Sequence, residues 1–442
     1  MLAGGGQTAL DAALRENELS ARDRALLTQL VYGPLKMQRS LDWSLSRVVK
    51  RPLANLTPAL HWTLRLGAYQ LLFLDKIPAH SAVDESVKLA RRLGHTGTAS
   101  LANAVLRKVA SRRETPPLPT PDGPIDAFAD YASLPNWIAQ HFIERFGFVD
   151  ALRATQGMNG TPRRAARVNV RIADVRETSD ALRRVGIVVH ESRYGIAECL
   201  ILASIPASGA SVLQRMIGSG RLTMQSEESQ LAAQLLYPQP GESVLDVCAG
   251  RGVKTGALAQ KCSSFSSGPL GPLAGKIVAL DDDATKLALL QQDMVRLGVE
   301  NVEVVRADAT REYEVGYSLG FDAVLVDEPC SGIGTIGRRA DLRWAKDPSD
   351  PARLARTQAA ILAQAALHAK LGGRLLYVTC STDAREDEDV IREFLGTHST
   401  WQAVPLLLNA PEGAFIRIGE SILTIPGIEG ADGFFYALLR KR

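Results

Sequence analysis

The chain has 442 residues, of which 46% are hydrophobic and 22% are charged. This length exceeds what one compact domain usually holds, so we expect two or three globular domains. No stretch of about 20 residues is apolar and free of charge, which argues against a membrane-spanning protein. The segment Met1–Leu10 has no basic start and no apolar run of signal-peptide length, so a cytoplasmic location is expected.

The cysteine content argues against both a disulfide framework and a metal site. The five cysteines are an odd number, and no two of them have the C-x-x-C spacing of a zinc site. We therefore expect no bound metal. The cysteines are Cys199, Cys248, Cys262, Cys330 and Cys380.

The net charge of +3 conceals an asymmetry along the chain. Residues 1–115 carry 17 Lys and Arg against 9 Asp and Glu, a net charge of +8. The remaining residues carry 34 against 39, a net charge of −5. Charge alone leaves two interpretations of the first quarter open, a basic soluble surface or a module that binds a polyanion.

The first hundred residues have the pattern of several short helices. Apolar residues recur at three- and four-residue spacing, and Gly or Pro interrupts the pattern at Gly33, Pro52, Pro58 and Pro78. A helical bundle is predicted over residues 8–112. The segment Arg112–Pro124 is rich in proline and charge and is predicted to be a linker.

The segment from Tyr131 to Arg221 has a mixed pattern that predicts a small α+β module. Its predicted elements are a helix at Pro135–Phe146, a strand at Ala166–Val170, a helix at Glu177–Val185, and strands at Gly186–His190 and Leu222–Met224.

From Gly241 onward, apolar runs alternate with helical patterns such as Ala284–Leu297 and Pro351–Leu371. This alternation predicts a parallel sheet with helices on both faces. The segment Ser263–Gly275 is predicted to be a loop. The predicted strands are Ser243–Val247, Lys276–Leu280, Val302–Val305, Ala323–Val326 and Arg374–Val378.

The ends of the first three predicted strands predict a ligand site. The first strand runs into the small-residue turn Cys248–Lys254, the second ends at Asp281 and the third near Asp308. Ligands of open parallel sheets bind at this edge, where a carboxylate can accept hydrogen bonds from a ribose diol. Without a Gly-x-Gly-x-x-Gly motif, a nucleoside cofactor is favoured over a dinucleotide. Each feature alone is also explained by a sharp turn with capping aspartates.

Two Cys-Ser pairs follow the fourth and fifth predicted strands. Cys330 lies in Asp327-Glu328-Pro329-Cys330-Ser331-Gly332, and Cys380 lies in Thr379-Cys380-Ser381. Both would face the same crevice as the cofactor, whereas structural cysteines more often lie inside strands. At least one of the two is therefore predicted to be catalytic.

With these motifs, the chain resembles the bacterial small-subunit (16S) ribosomal RNA cytosine-C5 methyltransferases of the Sun or Fmu type, also designated methyltransferase B. The resemblance extends over nearly the whole chain. Residues 24–27 and 103–107 resemble the RNA-binding NusB fold. Further matching segments are Met224–Ser229, Arg338–Trp344 and Asp432–Tyr436.

The resemblance implies a multidomain protein that binds S-adenosylmethionine and RNA, most readily 16S ribosomal RNA, and acts as a monomer. Residues 1–115 would form an all-α NusB-like domain. Residues 125–222 would form the small α+β RNA-binding or linker module. Residues 223–442 would form a Rossmann-like class I α/β methyltransferase domain.

The resemblance also assigns roles to individual residues. Cys380 would be the nucleophile that adds to cytosine C6, which makes C5 reactive toward the methyl group. Cys330 would assist product release, and Asp327 would contact or protonate the base. The cofactor would be bound by Cys248, Ala249, Gly250, Arg251, Gly252, Val253, Lys254, Asp281, Asp308 and Asp327.

Three residues depart from the family pattern. In the cofactor loop, Arg251 occupies the position of a family proline and Val253 that of a family glycine. Valine is β-branched and would be strained if this position required a positive φ. Glu328 stands for a small residue beside Cys330, where a carboxylate would raise the thiol pKa. These departures keep open an RNA-binding assembly factor with a degenerate methyltransferase domain. Methylation of transfer RNA by the same chemistry is a further alternative.

Overall fold

The computed structural model describes residues 5–111, 118–262, 275–316 and 319–442. It divides into two compact units, the first made of Met1–Asn159 with Arg339–Ala345 and the second of Gly160–Arg338 with Lys346–Arg442. Part of the predicted linker, residues 112–117, and most of the predicted loop, residues 263–274, lie outside the described residues.

The helices of the first unit confirm the all-α prediction. They are α1 (Gly5–Glu16), α2 (Ala21–Lys36), α3 (Gln38–Ser46), α4 (Pro58–Phe73), α5 (Ala79–Leu93), α6 (Thr96–Ser111), α7 (Ile125–Ala132) and α8 (Asn136–Asn159).

The other helices follow after residue 174, and the short α14 among them belongs to the first unit. They are α9 (Val175–Arg184), α10 (Ala207–Gly218), α11 (Glu227–Leu236), α12 (Val253–Lys261), α13 (Ala284–Leu297), α14 (Leu342–Ala345), α15 (Asp350–Leu367) and α16 (Glu388–Thr397).

All described strands lie in the second unit. They are β1 (Ala165–Val168), β2 (Val188–Glu191), β3 (Cys199–Ser204), β4 (Leu222–Met224), β5 (Val244–Val247), β6 (Ile277–Asp281), β7 (Val302–Arg306), β8 (Phe321–Asp327), β9 (Ala369–Thr379), β10 (Trp401–Val404), β11 (Phe415–Ile418), β12 (Ser421–Thr424) and β13 (Phe435–Lys441).

Side chains of α3, α4 and α6 form the core of the first unit, where Leu41, Leu64 and Leu106 are fully buried. Hydroxyl side chains cap the first turns of two helices of this unit. Ser20 accepts a hydrogen bond from the backbone of α2, and Thr57 does the same ahead of Pro58 in α4. Caps at the helix starts and one shared apolar core explain why this segment forms a bundle.

The segment Arg339–Ala345 is inserted into the first unit through a buried arginine. The guanidinium of Arg343 donates to the carbonyl oxygens of Lys36 (3.1 Å) and Met158 (3.1 Å) and to Oδ1 of Asn159 (2.6 Å). Burial lowers the pKa of Arg343 to about 9. A planar group with several donors is needed to satisfy acceptors in different directions, which accounts for an arginine at this position.

The second unit contains a four-stranded antiparallel sheet with the strand order β2-β3-β1-β4. It corresponds to the predicted α+β module. β3 was not predicted from the sequence. Several hydrogen bonds connect this region to the larger sheet's helices. Among them, Arg167 donates to the carbonyl of Val253, Asn169 to that of Leu297, and Arg296 to that of Ile217. The division into three domains stays a prediction.

The larger sheet has nine strands, with β11-β12-β13-β9-β8-β5-β6-β7 in order and β10 paired with β13. The five predicted strands are β5 to β9, and they pair in parallel. The parallel pairing of these five strands is confirmed. The sheet is mixed, because β13, which was not predicted, pairs antiparallel with β9 and extends it. The fold class, a Rossmann-like α/β domain, is confirmed.

The predicted helix Pro351–Leu371 is too long by one turn. α15 ends at Leu367, and Ala369 already begins β9. Apolar residues at this junction fit both the helical and the strand periodicity, so the pattern alone did not locate the boundary.

Among the described helices, none is long and apolar enough to cross a membrane.

Replacing Arg343 by Lys should lower the stability of the protein. A lysine ammonium cannot reach all three acceptors, and unsatisfied buried polar groups cost about 1–3 kcal/mol. Urea unfolding should therefore shift to lower denaturant concentration. Arg339→Lys, an exposed change in the same segment, serves as the control. Equal midpoints for Arg343→Lys and the wild-type protein would contradict this role.

Candidate active site

The turn after β5 is built on two glycines in the left-handed region. Gly250 has φ 57° and Gly252 has φ 80°, and a Cβ on Gly252 would lie 2.5 Å from the side chain of Leu290. Val253 begins α12 and has helical backbone angles. The strain considered for Val253 is therefore absent, because the positive φ angles of this turn fall on Cys248 (φ 60°), Gly250 and Gly252.

Asp281 ends β6 beside this turn. Its carboxylate accepts hydrogen bonds from the backbone N–H groups of Gly250 (2.9 Å) and Asp283 (3.0 Å), and it is buried. Each carboxylate oxygen has a second lone pair for another donor. Asp308, beyond the end of β7, is exposed and accepts from the backbone and hydroxyl of Thr310. Those hydrogen bonds lower the pKa of Asp308.

Lys254 and Asp327 form an ion pair that connects the turn to the end of β8. The ammonium of Lys254 lies 2.6 Å from Oδ2 of Asp327 and 5.4 Å from the ring centroid of Phe434. The sequence predicted both residues as cofactor ligands but not their contact. The ion pair holds the carboxylate of Asp327 at the edge of the crevice. It lies between the turn after β5 and the loops that carry Cys330 and Cys380.

The thiols of Cys330 and Cys380 are in direct contact. Their Sγ atoms are 3.1 Å apart, and the backbone N–H of Cys380 points at the sulfur of Cys330 at 3.3 Å. Neither cysteine forms a disulfide, and both are partly exposed. The contact with Cys380, together with burial, raises the pKa of Cys330 well above its usual value. The structure thus brings together the two thiols that the sequence predicted to share one crevice.

Glu328 is buried, and neither of its carboxyl oxygens accepts a hydrogen bond from a described residue. Burial, assisted by the charge of Asp327, raises the pKa of Glu328 well above its usual value. Glu386 is a carboxylate whose charge contributes to the raised pKa of Cys330. An effect of Glu328 on that thiol stays a prediction.

Two carboxyl groups at this site were missed from the sequence. Asp246 lies within β5, where it accepts a hydrogen bond from Thr255 (2.6 Å), and burial raises its pKa to about 7. The sequence feature that could have identified Asp246 is an acidic residue inside an apolar run. Glu386 is bonded to both cysteine loops. It lies among four consecutive acidic residues, and no pattern marked which of them is buried.

The comparisons with known proteins agree with this geometry. Residues 233–440 match the family model described as 16S rRNA methyltransferase RsmB/F, and residues 6–111 match the NusB family. The crystal structure of PH0851 covers 98% of this chain and 93% of its own, at 26% identity and a TM-score of 0.78. The structure of a methyltransferase homologue from Pyrococcus horikoshii covers 71% of this chain and 97% of its own, at 25% identity and a TM-score of 0.59. Fold and site thus define a methyltransferase with a NusB-type domain.

Two curated relatives are similar over almost their full length. The probable ribosomal RNA small subunit methyltransferase B of Bacillus subtilis is 33% identical over 98% of this chain and 94% of its own. The protein of the same name from Synechocystis is 32% identical with the same coverage. The chain belongs to the ribosomal RNA small subunit methyltransferase B family.

Replacing Glu328 by Gln should stabilise the protein increasingly as the pH rises. The unfolded carboxyl ionises above its ordinary pKa of 4.5, whereas the raised pKa of the folded carboxyl moves its ionisation to higher pH. Wild-type stability is therefore lost with rising pH, by up to about 1.4 kcal/mol per pH unit. Glutamine does not titrate, so urea unfolding at pH 4.5 to 7.5 should show a widening gap between the two proteins.

Glu300→Gln, an exposed change, should leave the pH dependence of stability unchanged. A gap between the wild-type protein and Glu328→Gln that stays constant over this pH range would show that Glu328 ionises normally in the folded protein.

Proposed function

We propose that this protein transfers a methyl group from S-adenosylmethionine to C5 of a cytosine in small-subunit ribosomal RNA. Cys380 is the covalent nucleophile and Cys330 assists product release. The observation that carries the proposal is the 3.1 Å thiol contact beyond the ends of two adjacent parallel strands. The names of the relatives support ribosomal RNA as the substrate.

S-adenosylmethionine is the cofactor, and the residues around the turn fit it. Gly250 and Gly252 leave the backbone open to close approach, and the free lone pairs of Asp281 can accept from the ribose hydroxyls. Asp308 is the acceptor for an adenine amino group. Residues 248–254 would contact the methionine part. When bound, the cofactor supplies an electrophilic methyl group.

The chemistry needs a nucleophile because C5 of cytosine is unreactive by itself. The thiolate of Cys380 forms a bond to C6, and the electron pair this releases makes C5 the nucleophile that takes the methyl group. A base then removes the C5 proton. The Cys380–C6 bond breaks as the C5–C6 double bond returns, and Cys380 leaves as a thiolate.

The second thiol suits the release step. Cys330 lies within hydrogen-bonding distance of the sulfur of Cys380, so its S–H can stabilise the departing thiolate. Its raised pKa keeps it protonated for this task. The carboxylate of Asp327, with its position fixed by Lys254, can accept from the cytosine amino group and can stabilise N3 once solvent has protonated it.

The first unit supports an RNA substrate. Residues 1–115 carry a net charge of +8, and binding to phosphates is the usual purpose of such an excess. The match to the NusB family covers the same segment. We propose that residues 1–115 bind the ribosomal RNA and that residues 125–222 contribute to binding.

The structure weakens the argument for a degenerate methyltransferase domain. Val253 begins α12 without a positive φ, and the two thiols are in contact although Glu328 lies in the Cys330 loop, so neither departure from the family pattern removes the chemistry. Transfer RNA as the substrate remains testable. Bisulfite sequencing of total RNA, with and without the gene, should lose one methylated cytosine in small-subunit ribosomal RNA. A loss in transfer RNA instead would overturn the substrate assignment.

Replacing Asp281 by Asn should weaken the binding of S-adenosylmethionine. A charge-assisted hydrogen bond to the ribose is lost, at a cost of about 1.5–3 kcal/mol. Titration calorimetry measures this difference directly. Asp282→Asn, the exposed neighbouring acid, should bind the cofactor like the wild-type protein. Equal affinity for Asp281→Asn and Asp282→Asn would remove Asp281 from the cofactor site.

Replacing each of the two cysteines by alanine should block a different step of the reaction. Cys380→Ala should form neither methylated RNA nor a covalent complex, because nothing attacks C6. Cys330→Ala should still attack and methylate but release the product slowly. A ribonuclease-sensitive protein–RNA band should therefore accumulate on a denaturing gel.

Cys262→Ala removes a thiol in the core at the end of α12 and should remain active. Accumulation of the band in Cys380→Ala would reverse the two roles. Full activity of both Cys380→Ala and Cys330→Ala would refute a covalent mechanism.

A further inference from the structure

One buried carboxylate is bonded to both cysteine loops. Oε1 of Glu386 accepts hydrogen bonds from the backbone N–H of Ser331 (2.8 Å) and from Nε2 of Gln358 (3.1 Å). Oε2 accepts from the hydroxyl groups of Ser381 (2.7 Å) and Ser331. The two serines are the residues that directly follow the two active-site cysteines, so a single side chain spans both thiol-bearing turns.

The elements around this carboxylate hold it in place. The hydroxyl of Tyr377 donates to the carbonyl of Glu386 (2.5 Å). Gln358, on α15, also donates to the carbonyl of Pro329, which precedes Cys330 (3.0 Å). All three side chains are buried. The carboxylate is therefore part of a rigid buried network and is not a surface group that happens to turn inward.

The strand ladder does not itself extend to the two thiols. The paired residues of β8 and β9 end at Asp327 and Val378, and one further bond joins the N–H of Glu328 to the carbonyl of Val378. Cys330 and Cys380 lie beyond this last bond. One backbone bond joins the two turns there, from the N–H of Gly334 to the carbonyl of Cys380 (3.0 Å). The side chains of Ser331, Ser381 and Glu386 supply further hydrogen bonds between the two turns.

We propose that Glu386 is a positioning residue that holds the thiols of Cys330 and Cys380 in contact, and this inference rests on the proposed function. It acts through Ser331 and Ser381. A displacement of about 1 Å at a reacting centre can cost about 100-fold in rate. Loss of the carboxylate should therefore impair the covalent step while leaving the cofactor site at β5 and β6 intact.

The charge of the carboxylate has a separate effect from its geometry. Burial raises the pKa of Glu386, and the bonds from Ser331, Ser381 and Gln358 oppose this rise. Its negative charge adds to the contact with Cys380 and to burial in raising the pKa of Cys330. The phenol of Tyr377 is the other titratable group that interacts with Cys330, and it is neutral at ordinary pH because burial raises its pKa.

Two variants separate geometry from charge. Glu386→Gln has the same shape, keeps an acceptor for the N–H of Ser331, and can donate to the serine hydroxyls in place of accepting from them. Glu386→Ala removes all four bonds. Glu393→Gln, an exposed glutamate on α16, is the matched control.

The first readout is the single-turnover rate of covalent complex formation with RNA that contains 5-fluorocytosine. Without a proton at C5, the complex cannot eliminate and accumulates. We expect a loss of about 100-fold for Glu386→Ala, a smaller loss for Glu386→Gln, and the wild-type rate for Glu393→Gln. Cofactor affinity should stay unchanged in all three variants. If Glu386→Ala does not fold, the decision rests on Glu386→Gln.

The second readout needs no RNA. Iodoacetamide alkylation of Cys330 and Cys380, followed by peptide mass spectrometry across pH, reports thiol deprotonation directly. Removing the charge in Glu386→Gln should shift the alkylation of Cys330 to lower pH, an effect that a merely structural residue would not produce. Glu393→Gln should match the wild-type profile.

The inference is overturned if Glu386→Gln equals the wild-type protein in both rate and alkylation profile, or if folded Glu386→Ala forms the complex at the wild-type rate. Absence of any covalent complex in the wild-type protein would instead refute the proposed function. In that case the alkylation profile still decides whether Glu386 controls the two thiols.

Discussion

The parallel pairing of β8 with β9 is the constraint on which the rest of the site depends. It aligns Asp327 with Val378, so the turns that follow the two strands start side by side and their thiols meet. β5 pairs with the other edge of β8 and delivers the cofactor turn to the same end of the sheet. The ion pair between Lys254 and Asp327 is a direct consequence of this arrangement.

A buried acidic side chain must be paired, hydrogen-bonded or neutral. Asp327 is paired with Lys254, and Glu386 accepts four hydrogen bonds. Glu328 accepts none from the described residues, and burial raises its pKa well above the usual value. Asp246, with one bond from Thr255, has a pKa of about 7. Burial and the bonds available to each carboxyl group thus differ from one acid to the next.

Periodicity predicted the central strands well because each is a short apolar run that ends in a polar or small residue. Because the strands alternate with helices, they were predicted to be parallel. The carboxyl ends of parallel strands meet at one edge of the sheet, which places Cys330 and Cys380 together there. The antiparallel strands after residue 400 were missed, as was β3. β10 pairs with β13, which lies far away in sequence. β11 and β12 form a hairpin across Gly419 and Glu420, and this local turn signal was overlooked.

Side-chain contacts were less predictable than strand positions. The sequence showed that Glu386, Asp387, Glu388 and Asp389 are all acidic, but it did not show that the first two are buried. The roles of the two thiols came from the family resemblance, because spacing alone is symmetric between them. Only the folded arrangement shows that Val253 begins a helix and that the carboxyl of Glu328 is buried.

The most direct test of the covalent mechanism is to identify the sulfur that becomes attached to RNA. The wild-type protein, cofactor and RNA containing 5-fluorocytosine would be incubated and digested, and the pyrimidine-bearing peptide identified by mass spectrometry. The account predicts that the modified pyrimidine is attached through C6 to the sulfur of Cys380. Attachment to Cys330, or methylated RNA formed without any cysteine adduct, would contradict it.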